Sequence, residues 1–246
     1  FADINNDGYQ DLITLDMLPR DHYRQNMLMM IQNYDKFDQM VSIGLKAQYV
    51  HNALQLNNGN GTFSDISFMS NTAATDWSWS ALFADYDNDG WKDMYISNGY
   101  RKDVTQLDYL NFFRDSLARA GGLTAERYPN IDEFLKFLPE KKLSNYLYLN
   151  NRDLTFHNAS KAAGLDLPSF SNGAAYADLD QDGDLDIIVN NIDDAAFIYR
   201  NDVQGQNWLQ IDLQGSKGNT DAIGAHAELY AGGQMQYQML MASKGI

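Results

Sequence analysis

Short apolar runs alternate with clusters of Asp, Asn and Gly along most of this chain. The runs Trp79-Ser-Ala-Leu-Phe-Ala84 and Asn172-Gly-Ala-Ala-Tyr-Ala177 each lead into an acidic turn. Out of such turns come Asp11-Leu-Ile-Thr-Leu15, Asp93-Met-Tyr-Ile-Ser97 and Asp186-Ile-Ile-Val-Asn190. Runs this short, apolar and rich in β-branched residues predict strands. A second pattern lies between the turns. Asn52-Ala-Leu54-Gln-Leu56-Asn57-Asn58-Gly-Asn-Gly-Thr62-Phe63 aligns without gaps with Asn145-Tyr-Leu147-Tyr-Leu149-Asn150-Asn151-Arg-Asp-Leu-Thr155-Phe156, and a weaker third copy is Phe197-Ile-Tyr199-Arg-Asn201. Apolar residues alternate along the strand, a polar turn reverses it, and Thr-Phe starts the return, which predicts a hairpin. Each unit then holds a strand, an acidic turn, a strand, a connection and a hairpin. That is about four strands per unit, as in a propeller blade.

Two stretches break the rhythm and read as helical insertions, about 20–46 and 103–140. In the second, Val104, Leu107, Leu110, Phe113 and Leu117 fall on one helical face, and Gly121-Gly122 ends it. Asn130 is placed to cap a further helix carrying Ile131, Phe134, Leu135 and Leu138, stopped by Pro139. Packing against the rim of the β structure is the plain reading of these faces. A lid or partner-docking element is the sharper one.

The acidic turns share one formula. They are Asp3-Ile-Asn5-Asn-Asp7-Gly8-Tyr9-Gln-Asp11, Asp85-Tyr-Asp87-Asn-Asp89-Gly90-Trp91-Lys-Asp93 and Asp178-Leu-Asp180-Gln-Asp182-Gly183-Asp184-Leu-Asp186. Oxygen-bearing residues at alternate positions, with glycine at position six for a sharp turn, suit a hard cation that takes six to eight oxygens, which is calcium. Magnesium, which prefers octahedral sites and keeps its waters, suits them less. An EF-hand loop needs Glu at position twelve and flanking helices. Here position twelve is Thr14, Ile96 and Val189, and strands flank the turns. A single such cluster equally suits a polar turn, but three copies at one spacing point to metal.

The charge agrees with this. The formal net charge is −15, and eleven of the carboxylates sit at ligand positions of the three turns. Three bound Ca²⁺ ions bring the charge to about −9. The acidic balance argues against nucleic acid or an anionic membrane as partner. The 246 residues are enough to bury a sizeable core. No run of eighteen apolar residues crosses a membrane, and the absence of cysteine rules out disulfides and thiolate metal sites. The chain begins at Phe1 inside a repeat and is read as part of a longer protein, so a missing targeting segment carries no information.

Turns and hairpins together resemble the FG-GAP/VCBS repeats of integrin-α-type β-propellers. The tail, Asn207-Trp208-Leu-Gln-Ile-Asp-Leu213-Gln-Gly215-Ser-Lys-Gly-Asn219-Thr-Asp-Ala222-Ile223-Gly224-Ala225, resembles the start of an ASPIC/UnbV domain, which follows such repeats in bacterial secreted proteins and in cartilage acidic protein. The insertions and the Leu15–Pro19 stretch are similar to parts of large surface proteins of Bacteroidota-type bacteria. The resemblance implies a mainly β fold: a partial β-propeller of calcium-loop blades with helical insertions over 1–203, then a truncated small β domain over 204–246. It implies as metal ligands the side chains of Asp3, Asn5, Asp7, Asp11, Asp85, Asp87, Asp89, Asp93, Asp178, Asp180, Asp182 and Asp186, with the carbonyls of Tyr9, Trp91 and Asp184. Spacing supports the same set. Asn5 departs from the Asp found at position three of the other loops, which weakens loop one.

Other candidates are few. His22, His51, His157 and His226 share no metal-ligand spacing. No Gly-x-Ser-x-Gly, His-Glu-x-x-His or phosphate-cradling glycine loop is present. Trp77 and Trp79 suit packing more than sugar stacking. The expectation is a non-catalytic, extracellular module that binds or adheres to a glycan or protein, displayed at a cell surface through other parts of a longer chain. The alternative is a carbohydrate-active enzyme, a polysaccharide lyase or glycoside hydrolase, with an acid/base group outside the calcium loops.

Overall fold

In the computed structural model, residues 1–27, 34–119, 121–122 and 138–242 are described. The alternating runs form antiparallel strands throughout. β1 (Leu12–Thr14) pairs with β2 (Ala53–Asn57), which pairs with β3 (Phe63–Asp65). The central sheet has four strands in chain order: β4 (Ser78–Ala84), β5 (Asp93–Asn98), β6 (Tyr146–Asn150) and β7 (Phe156–Asn158). A third sheet joins β8 (Ser171–Ala177), β9 (Asp186–Asn191) and β10 (Phe197–Tyr199). The tail contributes a ribbon of β11 (His226–Ala231) and β12 (Gln234–Met239).

The four-strand expectation thus holds in full only for the middle unit. In the first, Ala2 and Asp11 form an antiparallel bridge ahead of β1. In the third, β10 has no return strand among the described residues.

Each residue of β5 is buried, and its alternation explains why. Met94 and Ile96 face one way and join Ile4, Leu54 and Ile66 of the first unit with Tyr148 and Phe156. Tyr95 faces the other way and joins Ala174, Ile187 and Val189 of the third unit. Pleating sends successive side chains to opposite faces. One strand therefore seals two interfaces, and burial of Met94 and Ile96 stabilises the fold by about 1.5–3 kcal/mol each.

Both β4 and β8 slip register at the same place, between Ser78 and Ala81 and between Ser171 and Ala174. The slip frees a serine to bond across to the next strand. Ser78 Oγ donates to Asn98 Oδ1 at 2.7 Å, and Ser171 Oγ donates to Asn191 Oδ1 at 2.8 Å. The hairpin asparagines of the preceding unit reach the same spots: Asn52 Nδ2 donates to Thr75 Oγ1 at 2.5 Å and Asn145 Nδ2 to Ser171 Oγ at 3.0 Å. Gly99 lets the backbones of the second and third units approach closely. Its φ is 151°, and a Cβ there would stand 2.5 Å from the backbone nitrogen of Ser171.

The insertions are helical where they are described. α1 (His22–Met27) and α2 (Tyr34–Ser42) form the first. α3 (Leu107–Arg119) opens the second and ends where Gly122 N–H donates to Leu117 O, with Gly121 and Gly122 both at positive φ. Val104 precedes this helix instead of lying on it, and no residue of α3 is buried. Of the further helix expected over 131–138, residues 131–137 lie outside the described residues.

α1 is pinned by one side chain. The buried Arg24 guanidinium donates from Nε to Asp76 Oδ2 at 2.6 Å and from Nη2 to Asp76 Oδ1 at 3.0 Å, and Nη1 lies 3.5 Å from Asp103. Burial opposes its charge, but the hydrogen bonds and charge of Asp76 outweigh this and raise its pKa.

Candidate metal centre

The three acidic turns adopt one conformation. Position four is in the left-handed region at Asn6 (φ 54°), Asn88 (φ 54°) and Gln181 (φ 64°), and position six follows at Gly8, Gly90 and Gly183. These two bends curl the loop so that backbone N–H groups point at the carboxylate of position one. Asp3 accepts from Asp7 N at 3.1 Å and Gly8 N at 2.8 Å. Asp85 accepts from Asp89 N at 3.0 Å and Gly90 N at 2.8 Å. Asp178 accepts from Asp182 N at 3.2 Å and Gly183 N at 3.1 Å. Position five caps position seven, since Asp7, Asp89 and Asp182 accept from the amides of Tyr9, Trp91 and Asp184.

Positions one, three and five converge. In loop two Asp85, Asp87 and Asp89 bring carboxylate oxygens within 4.8 Å of one another, and in loop three Asp178, Asp180 and Asp182 do the same. These two Asp triads could hold a metal ion. Loop one has Asn5 at position three. Its Nδ2 donates to Asp7 Oδ2 at 2.8 Å, which leaves Oδ1 buried with no hydrogen-bond partner. A buried acceptor without a donor is costly, and a cation satisfies it. The oxygen sets of loops two and three therefore fit a hard cation, and loop one offers the carboxylates of Asp3 and Asp7 beside the partnerless Asn5 Oδ1.

Electrostatics point the same way. Burial pushes Asp85 up to about 6, against the pull of the Gly90 amide and Lys92, while neighbouring Asp89 adds to the rise. Burial likewise raises Asp3, and it raises Asp87 with help from Asp89. Crowded carboxylates take up protons where no cation balances them. Arg152 Nη2 lies 2.7 Å from Asp89 and offsets part of this charge, but the arginine is half exposed.

Position nine is different. Asp11, Asp93 and Asp186 are almost fully buried, and each places both oxygens on backbone amides. One oxygen braces its own loop, accepting from Ile4, Tyr86 or Leu179 at 2.9 Å. The other accepts from the hairpin asparagine, Asn57 at 2.8 Å, Asn150 at 2.9 Å or Asn201 at 2.8 Å. Position nine lies outside both converging triads. Its oxygens keep a further lone pair each, so bracing and coordination are compatible. Burial pushes Asp11 up to about 6 and Asp93 up to about 8, and the braces oppose this only in part.

Sequence reasoning missed the asparagines. Asn150 Nδ2 donates to Ile4 O at 2.8 Å, and Asn201 Nδ2 donates to Tyr86 O at 2.7 Å, so each hairpin grips the loop of the preceding unit. Position four grips forward: Asn6 Nδ2 donates to Gly90 O at 3.0 Å, and Asn88 Nδ2 to Asp184 Oδ1 at 2.6 Å. The recurrence of Asn at these places was the available signal. The histidines sit elsewhere, His51 on Asp65 at 3.0 Å and His157 on Asn151 at 2.7 Å. Trp77 packs on Tyr100, whereas Trp79 is half exposed with its Nε1 bound to Gly99 O.

The sequence profile of the FG-GAP-like repeat matches residues 3–96 and 140–189, more than half of the chain. The chain belongs to the FG-GAP-like repeat family. No curated protein matches it. The FG-GAP match takes in all three acidic turns and leaves out 97–139, the stretch that carries α3 and the rest of the second insertion.

Proposed function

We propose that this chain is a calcium-stabilised β-propeller module of an exported, surface-displayed protein, built to bind or adhere to a glycan or protein ligand without catalysis. The observation that carries it is the convergence of three carboxylates in each of loops two and three, with the partnerless Oδ1 of Asn5 at the corresponding place in loop one. Ligands are drawn from positions one, three and five, with position nine behind them and the carbonyls of Tyr9, Trp91 and Asp184 completing each set. Bound calcium supplies positive charge at a crossing of two strands that like charge would otherwise splay. The role is structural.

Among the described residues, the carboxyl groups raised above their ordinary range, Asp3, Asp11, Asp85, Asp87 and Asp93 among them, belong to these loops. That supports binding over an acid/base enzyme, whose perturbed carboxyl would lie outside the metal set. Filling of such loops near millimolar calcium supports an extracellular setting. Residues 1–203 are proposed as the blades and 204–246 as the start of an ASPIC/UnbV domain.

Calorimetric titration with calcium, followed by polysaccharide arrays in calcium buffer, tests the reading. Saturable uptake of up to three ions, and capture of a ligand without new reducing or unsaturated ends, is the expected result. A chain that takes up no calcium, or that cleaves what it captures, contradicts it.

A further inference from the structure

The C-terminal segment touches all three loops at the same position. A Cβ placed on Gly183 would run into the indole of Trp208. One on Gly90 would stand 2.5 Å from Gln236 Nε2, and one on Gly8 would stand 3.1 Å from Met235 Cε. The seam is lined by Asp3, Gln10 and Lys92 on one side and by Tyr237, Gln238 and Met239 on the other. Each of these glycines is thus shared. Its Cα meets the tail, while its N–H holds the position-one carboxylate of its loop.

The tail has little of its own to hold it. β11 and β12 form a two-stranded ribbon, paired with no other strand among the described residues. Their residues are half-buried or exposed. A lone two-stranded hairpin is marginal in water, so its order depends on the surface beneath it. That surface is the backbone of the acidic loops, whose curl is held by the same position-one carboxylates that are proposed to take calcium.

We propose that the segment from Gly205 to Ala242 is a clasp that docks on the metal-loaded shape of the loops, so that calcium binding and clasp docking stabilise one another. The proposal rests on the calcium reading above. Because such coupling is reciprocal, losing calcium loosens the clasp and losing clasp contacts weakens calcium binding. None of Trp208, Met235 and Gln236 is a proposed ligand, so their effect on calcium runs through the shared glycines.

Two measurements on the whole chain test this. Hydrogen exchange follows β11 and β12 with β5 as internal reference, in calcium and in EGTA. Calorimetry gives the calcium affinity of the parent, Trp208→Ala and Gln236→Ala. The expected result is exchange in β11 and β12 that accelerates in EGTA by more than that in β5. Affinity in both variants is expected to fall about fivefold or more. Calcium uptake by the parent with equal β11–β12 exchange in both buffers, or with unchanged affinity in the variants, overturns the clasp and leaves the calcium reading intact. No calcium uptake by the parent overturns both.

Discussion

Asn88, in the middle of the second acidic loop, donates through Nδ2 to the Oδ1 of Asp184 in the third at 2.6 Å. Neighbouring loops are therefore tied by a hydrogen bond to a carboxylate, a stronger kind than the neutral average. The left-handed φ of 54° at Asn88 is what swings its side chain forward. Glycine keeps that backbone and removes the tie. Asn88→Gly should cost about 1.5 kcal/mol or more in urea unfolding. A neutral result would mean that the sheet interfaces alone hold the units together.

Arg24 fixes the first insertion to the β core through Asp76, and both side chains are about nine-tenths buried. Removing one partner leaves a buried charge without compensation, at a cost of about 3–5 kcal/mol. Arg24→Met should fall in that range by chemical denaturation. Adding Asp76→Asn should restore part of the loss, because it removes the orphaned charge and asparagine tolerates the positive φ of position 76. A double variant no better than Arg24→Met would contradict the pairing.

Metal removal should invert the usual pH profile. In the metal-free protein the carboxyls of Asp11 and Asp85 are pushed up to about 6 and that of Asp93 to about 8. In the unfolded chain an aspartate titrates near 3.9 (about). Between these values the folded state binds more protons, so stability is lost as pH rises. In EGTA, the melting temperature should fall steadily from about pH 4.5 to about pH 8. In calcium the ion replaces the protons, and the fall should vanish. A metal-free protein more stable at pH 8 than at pH 5 would contradict the desolvated state of these carboxyls.

Much of this architecture could be read from residue order. The runs after Asp11, Asp93 and Asp186 are strands because short β-branched segments between polar turns have few other uses. The loop conformation followed from glycine at position six, the place where the backbone takes positive φ. Other features escaped because they depend on distance in space. Nothing local marks Arg24 as the partner of Asp76, 52 residues away. Spacing alone gives Asp93 a ligand's place, yet it does not show that Tyr86 and Asn150 already hold both its oxygens. The apolar stripe of α3 predicted a helix correctly, but periodicity could not show that Phe112 would stand exposed and no residue of the helix be buried. The Asn repeats were visible as letters, and their role needed the neighbouring unit.

Calcium in the loops is proposed to hold these sheets together, and thermal unfolding reads this out. The parent chain should be compared in about 2 mM calcium and in excess EGTA. Asp89→Ala/Asp182→Ala, which removes one carboxylate from each triad, should be run beside it. Occupied sites should raise the parent's melting temperature by an amount on the order of 10 °C. Most of that rise should be lost in the double variant. Identical melting of the parent in calcium and EGTA would mean that the loops are polar turns and would contradict the account.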